Sequence, residues 1–265
     1  MKTVIRTTSA GRKLGLITSI ANLRGGFAAT AIAIGCLLVL SANSSTASMK
    51  GGNPNPGIAP PNSQPLGSSY NDWAILVSEW YWSIPTTETP PPTRVFGNMV
   101  VPPLAGFAGV TVPVTMKVGQ WFFVPTCFNT WLNTPGDPGW TSNTTWSDAP
   151  FTDPATDITY PTYEAWVRAV MKGYNDALKP TCTIDGKPVQ NLDMYRMQTG
   201  LFDITVPADN AWGSWLPAGT YGPALTDGWF EILNPMTPGK HTVTNAIGEG
   251  LFVTYEITVT IAASE

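Results

Sequence analysis

The feature that most constrains the fold of this chain is the strict alternation of side chains over residues 251–261. One side of this segment carries Leu251, Val253, Tyr255, Ile257, Val259 and Ile261, and the other carries Phe252, Thr254, Glu256, Thr258 and Thr260. Successive side chains of a strand point to opposite faces, so one apolar and one mostly polar face predict a half-buried strand of an antiparallel sheet. A strand of a parallel sheet, covered on both faces, is apolar throughout.

Short runs of β-branched and aromatic residues recur along the chain, separated by Gly, Pro, Asn and Asp. Such runs predict strands over 110–116 and 120–124, joined by a tight turn, and over 181–184, 194–198, 201–206, 229–233 and 241–245. Residues 133–161 are polar and rich in turn residues, which predicts a long surface loop. These strands predict a mainly β fold, an antiparallel β-sandwich that is Ig-like or a jelly-roll.

Two segments have the period of an amphipathic helix instead. The first places Trp73, Leu76, Val77, Trp80 and Ile84 on one face, with Asn71 or Asp72 as N-cap and Pro85 after its end. The second places Tyr163, Trp166, Val167, Val170, Met171, Tyr174 and Leu178 on one face. Pro180 ends the second helix, because the residue before a proline disfavours the helical region.

The N-terminal 47 residues have the composition of a signal peptide. They carry five basic and no acidic residues, followed by an apolar stretch from Phe27 to Leu40 and then small residues up to Ala47. The apolar stretch is shorter than a transmembrane helix, so no membrane anchor is expected after cleavage. The long basic part reflects an extended signal or an early start codon. Residues 48–70, rich in Gly, Pro and Asn, predict a flexible linker, which leaves 71–265 as one β-sandwich domain.

Removal of the signal peptide makes the chain strongly acidic. The whole sequence has a formal net charge of −4, but five of its 14 basic residues lie before residue 48 and all 18 acidic residues lie after it. The exported part therefore carries −9. Such a charge, without a basic cluster, argues against nucleic acid as a partner. Neutral polysaccharides, cations or a cell-surface partner remain compatible with it.

Two cysteines, Cys127 and Cys182, follow the predicted signal peptide. An exported protein meets an oxidising compartment, so we expect a Cys127–Cys182 disulfide, with two buried free thiols as the alternative. Two cysteines and a single histidine, His241, lack the paired spacing of a structural zinc site.

The order of several short motifs resembles a family of uncharacterised exported bacterial proteins. These motifs are Trp80-Tyr81-Trp82-Ser83-Ile84-Pro85, the segment 116–125 with Asn129, Leu216-Pro217-Ala218-Gly219-Thr220-Tyr221, Asp227-Gly228-Trp229-Phe230, Pro235-Met236-Thr237-Pro238-Gly239-Lys240-His241-Thr242 and Val253-Thr254-Tyr255. The resemblance covers about residues 72–261 and departs from the family pattern over 90–108. The resemblance implies export and a sandwich fold, and it gives no information about an activity.

Three residues are candidates for catalysis. His241 is the only histidine, so a Ser-His-Asp hydrolase would have to use it, although no Gly-x-Ser-x-Gly motif supplies a nucleophile. Asp227 and Glu231 belong to a set of carboxylates from which a glycoside hydrolase would need two, and that set is Glu79, Glu164, Asp227, Glu231 and Glu256. Each of the three also has a simpler explanation. His241 would make a structural hydrogen bond, Asp227 would belong to a turn, and Glu231 would be a polar residue of a strand.

Two further groups are candidates for binding. Oxygen ligands for calcium are available in the acidic loop, at Asp137, Asp148, Asp153 and Asp157, without the regular spacing of a calcium loop. Tryptophans in predicted loops are candidates for stacking on sugar rings, and these are Trp131, Trp140, Trp146, Trp212 and Trp215. The sequence thus predicts a secreted, periplasmic or cell-surface module that binds rather than catalyses, with a secreted hydrolase of glycans or esters as the alternative.

Overall fold

A computed structural model describes residues 53–88, 92–103, 105, 109–134, 146–211, 216–248 and 250–261 of the chain. In these residues the strands are β1 (Arg94–Phe96), β2 (Met99–Val101), β3 (Val110–Lys117), β4 (Trp121–Trp131), β5 (Phe151–Thr152), β6 (Thr159–Tyr160), β7 (Pro180–Ile184), β8 (Lys187–Pro188), β9 (Arg196–Gln198), β10 (Phe202–Val206), β11 (Gly219–Leu233), β12 (Gly239–Ile247) and β13 (Phe252–Thr260). The helices are α1 (Tyr70–Trp82) and α2 (Tyr163–Asp176).

Two sheets packed against each other form the body of the fold, which confirms the predicted β-sandwich. The first sheet has the order β1-β2-β4-β11-β10, and β9 also pairs with β11. The second has the order β3-β13-β12-β7-β8. The core between them is apolar and aromatic: the rings of Phe122 on β4 and Tyr255 on β13, one from each sheet, meet edge to face at 6.2 Å.

Both sheets are mixed rather than purely antiparallel, which corrects the sequence prediction. β13 pairs antiparallel with β12 and parallel with β3, and β2 pairs parallel with β4. Segments 110–117 and 121–131 are both strands, as predicted, but the turn between them leads from one sheet to the other instead of closing a hairpin. A turn signal in the sequence fixes where a strand ends and leaves open which strand it pairs with.

Both predicted helices are present. Ser69 caps α1: its Oγ accepts from the Asp72 N–H at 3.2 Å, and the Asp72 carboxylate accepts from the Ser69 N–H at 3.0 Å. The cap lies two residues before the predicted Asn71, because a reciprocal capping box satisfies two free N–H groups at once. Thr162 caps α2 through the Ala165 N–H at 3.1 Å.

Part of the segment predicted as a flexible linker is packed into the domain. Ile58 and Ala59 are buried, and the Ala59 N–H donates to the Ile232 carbonyl at 2.9 Å. The Asn55 side chain also bonds to both backbone groups of Gln190, donating to its carbonyl and accepting from its N–H. The two apolar residues among the prolines therefore anchor this segment alongside β11.

Strand β11 is the central element of the first sheet. It pairs with β4 along residues 225–233 and with β10 and β9 on its other side. Its residues from Gly222 to Leu233 are all buried. Every polar side chain in this stretch must therefore find its partners inside the protein.

Candidate functional site

The described residues form an open cleft of about 400 Å³ beside the N-terminus of α2. Its walls come from the segment that precedes β5, from the start of α2, from β10 and from one residue of β11. The lining residues are Trp146, Ser147, Asp148, Thr162, Glu164, Leu201, Phe202, Asp203 and Pro223. A concave surface with a few polar groups on an apolar wall is the usual form of a ligand site.

Three acidic residues line this cleft, Asp148, Glu164 and Asp203. Glu164 forms an ion pair with Arg168 one helical turn later, at 2.7 Å. Asp203 lies directly over Gly222: a Cβ at residue 222 would be 1.7 Å from its Oδ1. The backbone of β11 thus leaves room for the Asp203 carboxylate only because residue 222 is a glycine.

A fourth carboxylate lies close to the cleft. Glu79 on α1 has a raised pKa, because it is partly buried and because the negative charge of Asp203 is near. Glu79 and Glu164 are among the carboxylates that the sequence offers as candidates, and Asp203 is not. The alternation of residues 202–206 carries the signal, since Phe202, Ile204 and Val206 are buried and Asp203 is exposed.

Two of the five tryptophan candidates, Trp131 and Trp146, are among the described residues, and both belong to a hydrophobic cluster rather than to an exposed platform. Trp131 is the last residue of β4 and does not lie in a loop as predicted. Trp146 is 8% exposed, and its ring meets Tyr163 edge to face at 5.3 Å. Trp131 is half-buried, with its ring 5.3 Å from that of Trp166. These rings pack α2 against the first sheet, and Trp146 also lines the cleft. Trp140, Trp212 and Trp215 lie outside the described residues.

The calcium candidates that are described separate into two places. Asp153 accepts from the Ala155 N–H and the Thr156 hydroxyl, both at 2.9 Å, and Asp157 lies in the same turn with a positive φ of 59°. Asp148 lines the cleft. Across the described part of the chain, no group of three His, Cys, Asp or Glu side chains is arranged to hold a metal ion. Asp137 is not among those residues.

His241 takes part in a structural ion pair. Its Nδ1 lies 2.8 Å from Asp185 Oδ2, and its Nε2 lies 2.9 Å from the Thr237 carbonyl oxygen. Both partners accept hydrogen bonds, so both ring nitrogens carry a hydrogen and the imidazole is positively charged. The hydrogen bond to Asp185 accordingly raises the pKa of His241. The pair joins the start of β12 to the turn between β7 and β8.

Asp227 is fully buried and held on three sides. Its carboxylate accepts from Arg196 Nε at 3.0 Å, from Arg196 Nη2 at 3.1 Å and from Gln198 Nε2 at 2.8 Å. Arg196 also pairs with Asp176 of α2 and lies over the ring of Trp229, with Cζ 4.9 Å from the ring centroid. Asp227 therefore links β9, β11 and α2, and it does not line the cleft beside α2.

Glu231 is also fully buried, on the adjoining part of β11. Its Oε2 lies 2.5 Å from Thr126 Oγ1 on β4, and its Oε1 has no hydrogen-bond partner among the described residues. Burial raises the pKa of Glu231 to about 8. Glu231 therefore does not occupy the ordinary polar strand position that the sequence suggests, because its side chain is fully buried. The apolar residues on both sides of it, Trp229, Phe230, Ile232 and Leu233, are the signal of a strand buried on both faces.

The predicted disulfide is absent, and both cysteines are free and buried. Cys127 lies near Asp227 and Arg196, and burial raises its pKa to about 12. Cys182 lies on β7 in the second sheet and packs in the core between the sheets, where it is close to Glu231 and Thr126. The two thiols have different surroundings, so an oxidising compartment alone does not bring them together.

No helix among the described residues is long and apolar enough to cross a membrane. Neither a protein-family model nor a curated protein matches the chain. A chain from the solved structure of PbICP-C in complex with falcipain-2 is similar over 62% of this chain and 99% of that chain, with 12% sequence identity and a TM-score of 0.20. A TM-score of 0.20 is too low for any inference about the fold or function of this chain. The resemblance to exported bacterial proteins stays a prediction.

Proposed function

We propose that this protein is an exported, non-catalytic binding module and that it binds polysaccharide in the cleft beside α2. The observation that carries the proposal is the presence of Asp148, Glu164 and Asp203 in the lining of one open cleft. Carboxylates accept hydrogen bonds from hydroxyl and ammonium groups, and charge-assisted bonds of this kind are among the strongest that a site can offer.

The apolar part of the cleft supports the same ligand class. Trp146, Phe202 and Pro223 line it beside the carboxylates, and Leu201 at its edge is 40% exposed. Carbohydrates combine hydroxyl groups with apolar C–H faces, which fits a site of mixed character. The carboxylates repel acidic polymers, so neutral or amino-substituted polysaccharides are the expected ligands.

The absence of catalysis in this proposal follows from where the three catalytic candidates lie. His241 is engaged by Asp185 and Thr237, Asp227 is engaged by Arg196 and Gln198, and Glu231 is enclosed between the sheets. None of them lines the described cleft. The predicted signal peptide at residues 1–47 would deliver the module to the outside of the cell.

One observation favours a second candidate, a secreted glycoside hydrolase. Glu79 has a raised pKa and lies near Asp203, which itself lines the cleft. A carboxyl group with a raised pKa next to an ionised one is the arrangement from which such enzymes take their general acid. In this candidate Glu79 would donate a proton to the leaving oxygen and Asp203 would act on the opposite side of the bond.

The test is calorimetric titration of the protein with oligosaccharides in matched pairs. Chitin and chitosan oligomers of equal length differ in whether the amine is acetylated, and a uronic acid oligomer serves as the acidic comparison. We expect binding of at least one of the first two and none of the third. Asp203→Asn and Glu164→Gln should each weaken binding by about tenfold or more, because each removes a charged acceptor.

Glu256→Gln is the matched control, since Glu256 is exposed on β13 of the other sheet and should leave affinity unchanged. Absence of binding to every oligomer, or equal affinity of the Asp203→Asn variant and the unmodified protein, would contradict the proposal. Release of new reducing ends during incubation, lost in Glu79→Gln, would establish the hydrolase instead.

A further inference from the structure

A short chain of hydrogen-bonding side chains crosses the interior of the sandwich. It runs from Glu231 on β11 to Thr126 on β4, and from Thr126 to Asn245 on β12 of the opposite sheet. The oxygen–oxygen distances are 2.5 Å between Glu231 Oε2 and Thr126 Oγ1 and 3.2 Å between Thr126 Oγ1 and Asn245 Oδ1. All three side chains are fully buried.

The orientation of Asn245 is set by its other neighbour. The carbonyl oxygen of Pro125 faces the Asn245 amide at 3.5 Å, and a carbonyl accepts hydrogen bonds without donating any. The atom that faces it is therefore the NH₂ group, Nδ2. The amide oxygen Oδ1 then faces Thr126, where it needs a donor.

The number of hydrogens available to these three side chains determines whether Glu231 is ionised. The Thr126 hydroxyl has one hydrogen and lies between two acceptor oxygens, those of Asn245 and Glu231. If Thr126 donates to Asn245, the short contact to Glu231 must be bridged by a hydrogen that the carboxyl group supplies. An ionised carboxylate would leave either that contact or the Asn245 oxygen without a hydrogen, and both atoms are buried.

The ionisable groups that face Glu231 offer no compensating charge. They are Cys182 from β7, Tyr70 from the start of α1 and Tyr195 from the turn before β9. Burial raises the pKa of each, so all three are neutral at neutral pH. None of the ion pairs found within the described ranges includes Glu231, and its Oε1 has no partner there.

We propose that Glu231 is a neutral carboxylic acid in the folded protein and donates to Thr126, which leaves the Thr126 hydrogen for the bond to Asn245 that connects the two sheets. Ionisation of Glu231 at alkaline pH then loosens the sandwich. The fold thus contains a pH-sensitive group of hydrogen bonds, Glu231–Thr126–Asn245, between the two sheets. This inference does not depend on the cleft or on its ligand.

The direction of the pH effect follows from the difference in the pKa of Glu231 between the folded and the unfolded protein. Burial raises the pKa of Glu231 to about 8, from an ordinary value of 4.5. Between these values the folded protein holds a proton that the unfolded chain has released, so folding becomes less favourable as the pH rises. The folding equilibrium constant should fall by roughly tenfold for each pH unit in this window.

The experiment compares the protein with its Glu231→Gln variant by urea titration from about pH 5 to pH 9. The glutamine Nε2 donates to Thr126 as the neutral acid does, but it cannot ionise. We expect the ratio of the folding constants, variant over unmodified protein, to rise by more than a hundredfold across this range. A ratio that stays constant or falls with pH would overturn the proposal. Glu256→Gln, an exposed change, should leave the ratio flat.

A second measurement does not require the variant to fold. Infrared difference spectra of the unmodified protein should contain the C=O stretch of a protonated carboxyl group at neutral pH, and this band should disappear as the pH is raised past about 8. Exposed carboxylates are ionised in this range and do not contribute to the band. Glu79, whose pKa is also raised, is removed as a source of the band by recording the same spectra in the Glu79→Gln variant. A spectrum without the band at neutral pH overturns the proposal.

Discussion

Replacement of Asp227 by asparagine tests whether this residue is structural. The fully buried carboxylate accepts three hydrogen bonds, two from Arg196 and one from Gln198. An amide has one acceptor oxygen, so in Asp227→Asn at least one of these donors faces an NH₂ group. The guanidinium of Arg196, 17% exposed, also loses its buried counter-charge and keeps only Asp176.

The expected loss of stability is large. Removal of one partner from a buried ion pair costs about 3–5 kcal/mol, because the remaining charge stays buried. With an m-value of about 2 kcal/mol/M, the midpoint of urea unfolding should fall by roughly 1.5–2.5 M. Tryptophan fluorescence follows the transition, since Trp229 lies beneath Arg196.

Asp176→Asn is the matched control. Asp176 contacts the same arginine from the other side, but it is 45% exposed, and an exposed ion pair contributes at most about 1 kcal/mol. The two variants should therefore differ clearly in midpoint. Similar, small losses for both would refute the assignment of Asp227 as a buried structural partner and would return it to the catalytic candidates.

Two other predictions concern His241 and the cysteines. The pKa of His241 is raised in the fold by its hydrogen bond to Asp185, so its contribution to stability is complete below about pH 6.5 and is lost as the pH rises through the folded pKa. His241→Gln should lower the melting temperature at about pH 5.5 and have little effect at about pH 9, and the opposite trend would contradict the ion pair. Cys127 and Cys182 should resist a thiol reagent in the folded protein and react fully in denaturant, because both thiols are buried. Peptide mass spectrometry checks this, and a Cys127–Cys182 linked peptide would show that the free-thiol arrangement is incorrect.

The elements that the sequence predicts well are those whose signal is local. Helix α2 is present where its period of 3.6 predicts it, and Tyr163, Trp166, Val167 and Met171 are buried. Val170 and Tyr174 of the same predicted face are exposed, and the helix ends before Leu178. The buried positions of β13 are those that its alternation selects. The pairing of strands has no such local signal. Strand β3 lies beside β13, more than 130 residues away in sequence, and no local pattern contains that information.

The candidate site was predictable only in part. Glu79 and Glu164 are visible as carboxylates in the sequence, but their position near Asp203 depends on how α1 and α2 pack against β10 and β11. The same holds for the tryptophans: Trp146 lies in a segment without a period, yet it packs against Tyr163 because α2 needs an apolar partner there. Function at such a site depends on tertiary contacts that composition does not encode.

The pairing of early with late segments also has a consequence for synthesis. Ile58 forms a bridge with Leu233, and the whole of β3 pairs with β13. Until β13 has been synthesised, β3 and β12 lack the strand that lies between them, and this side of the core is uncovered. The second sheet is therefore completed only after β13 has been synthesised.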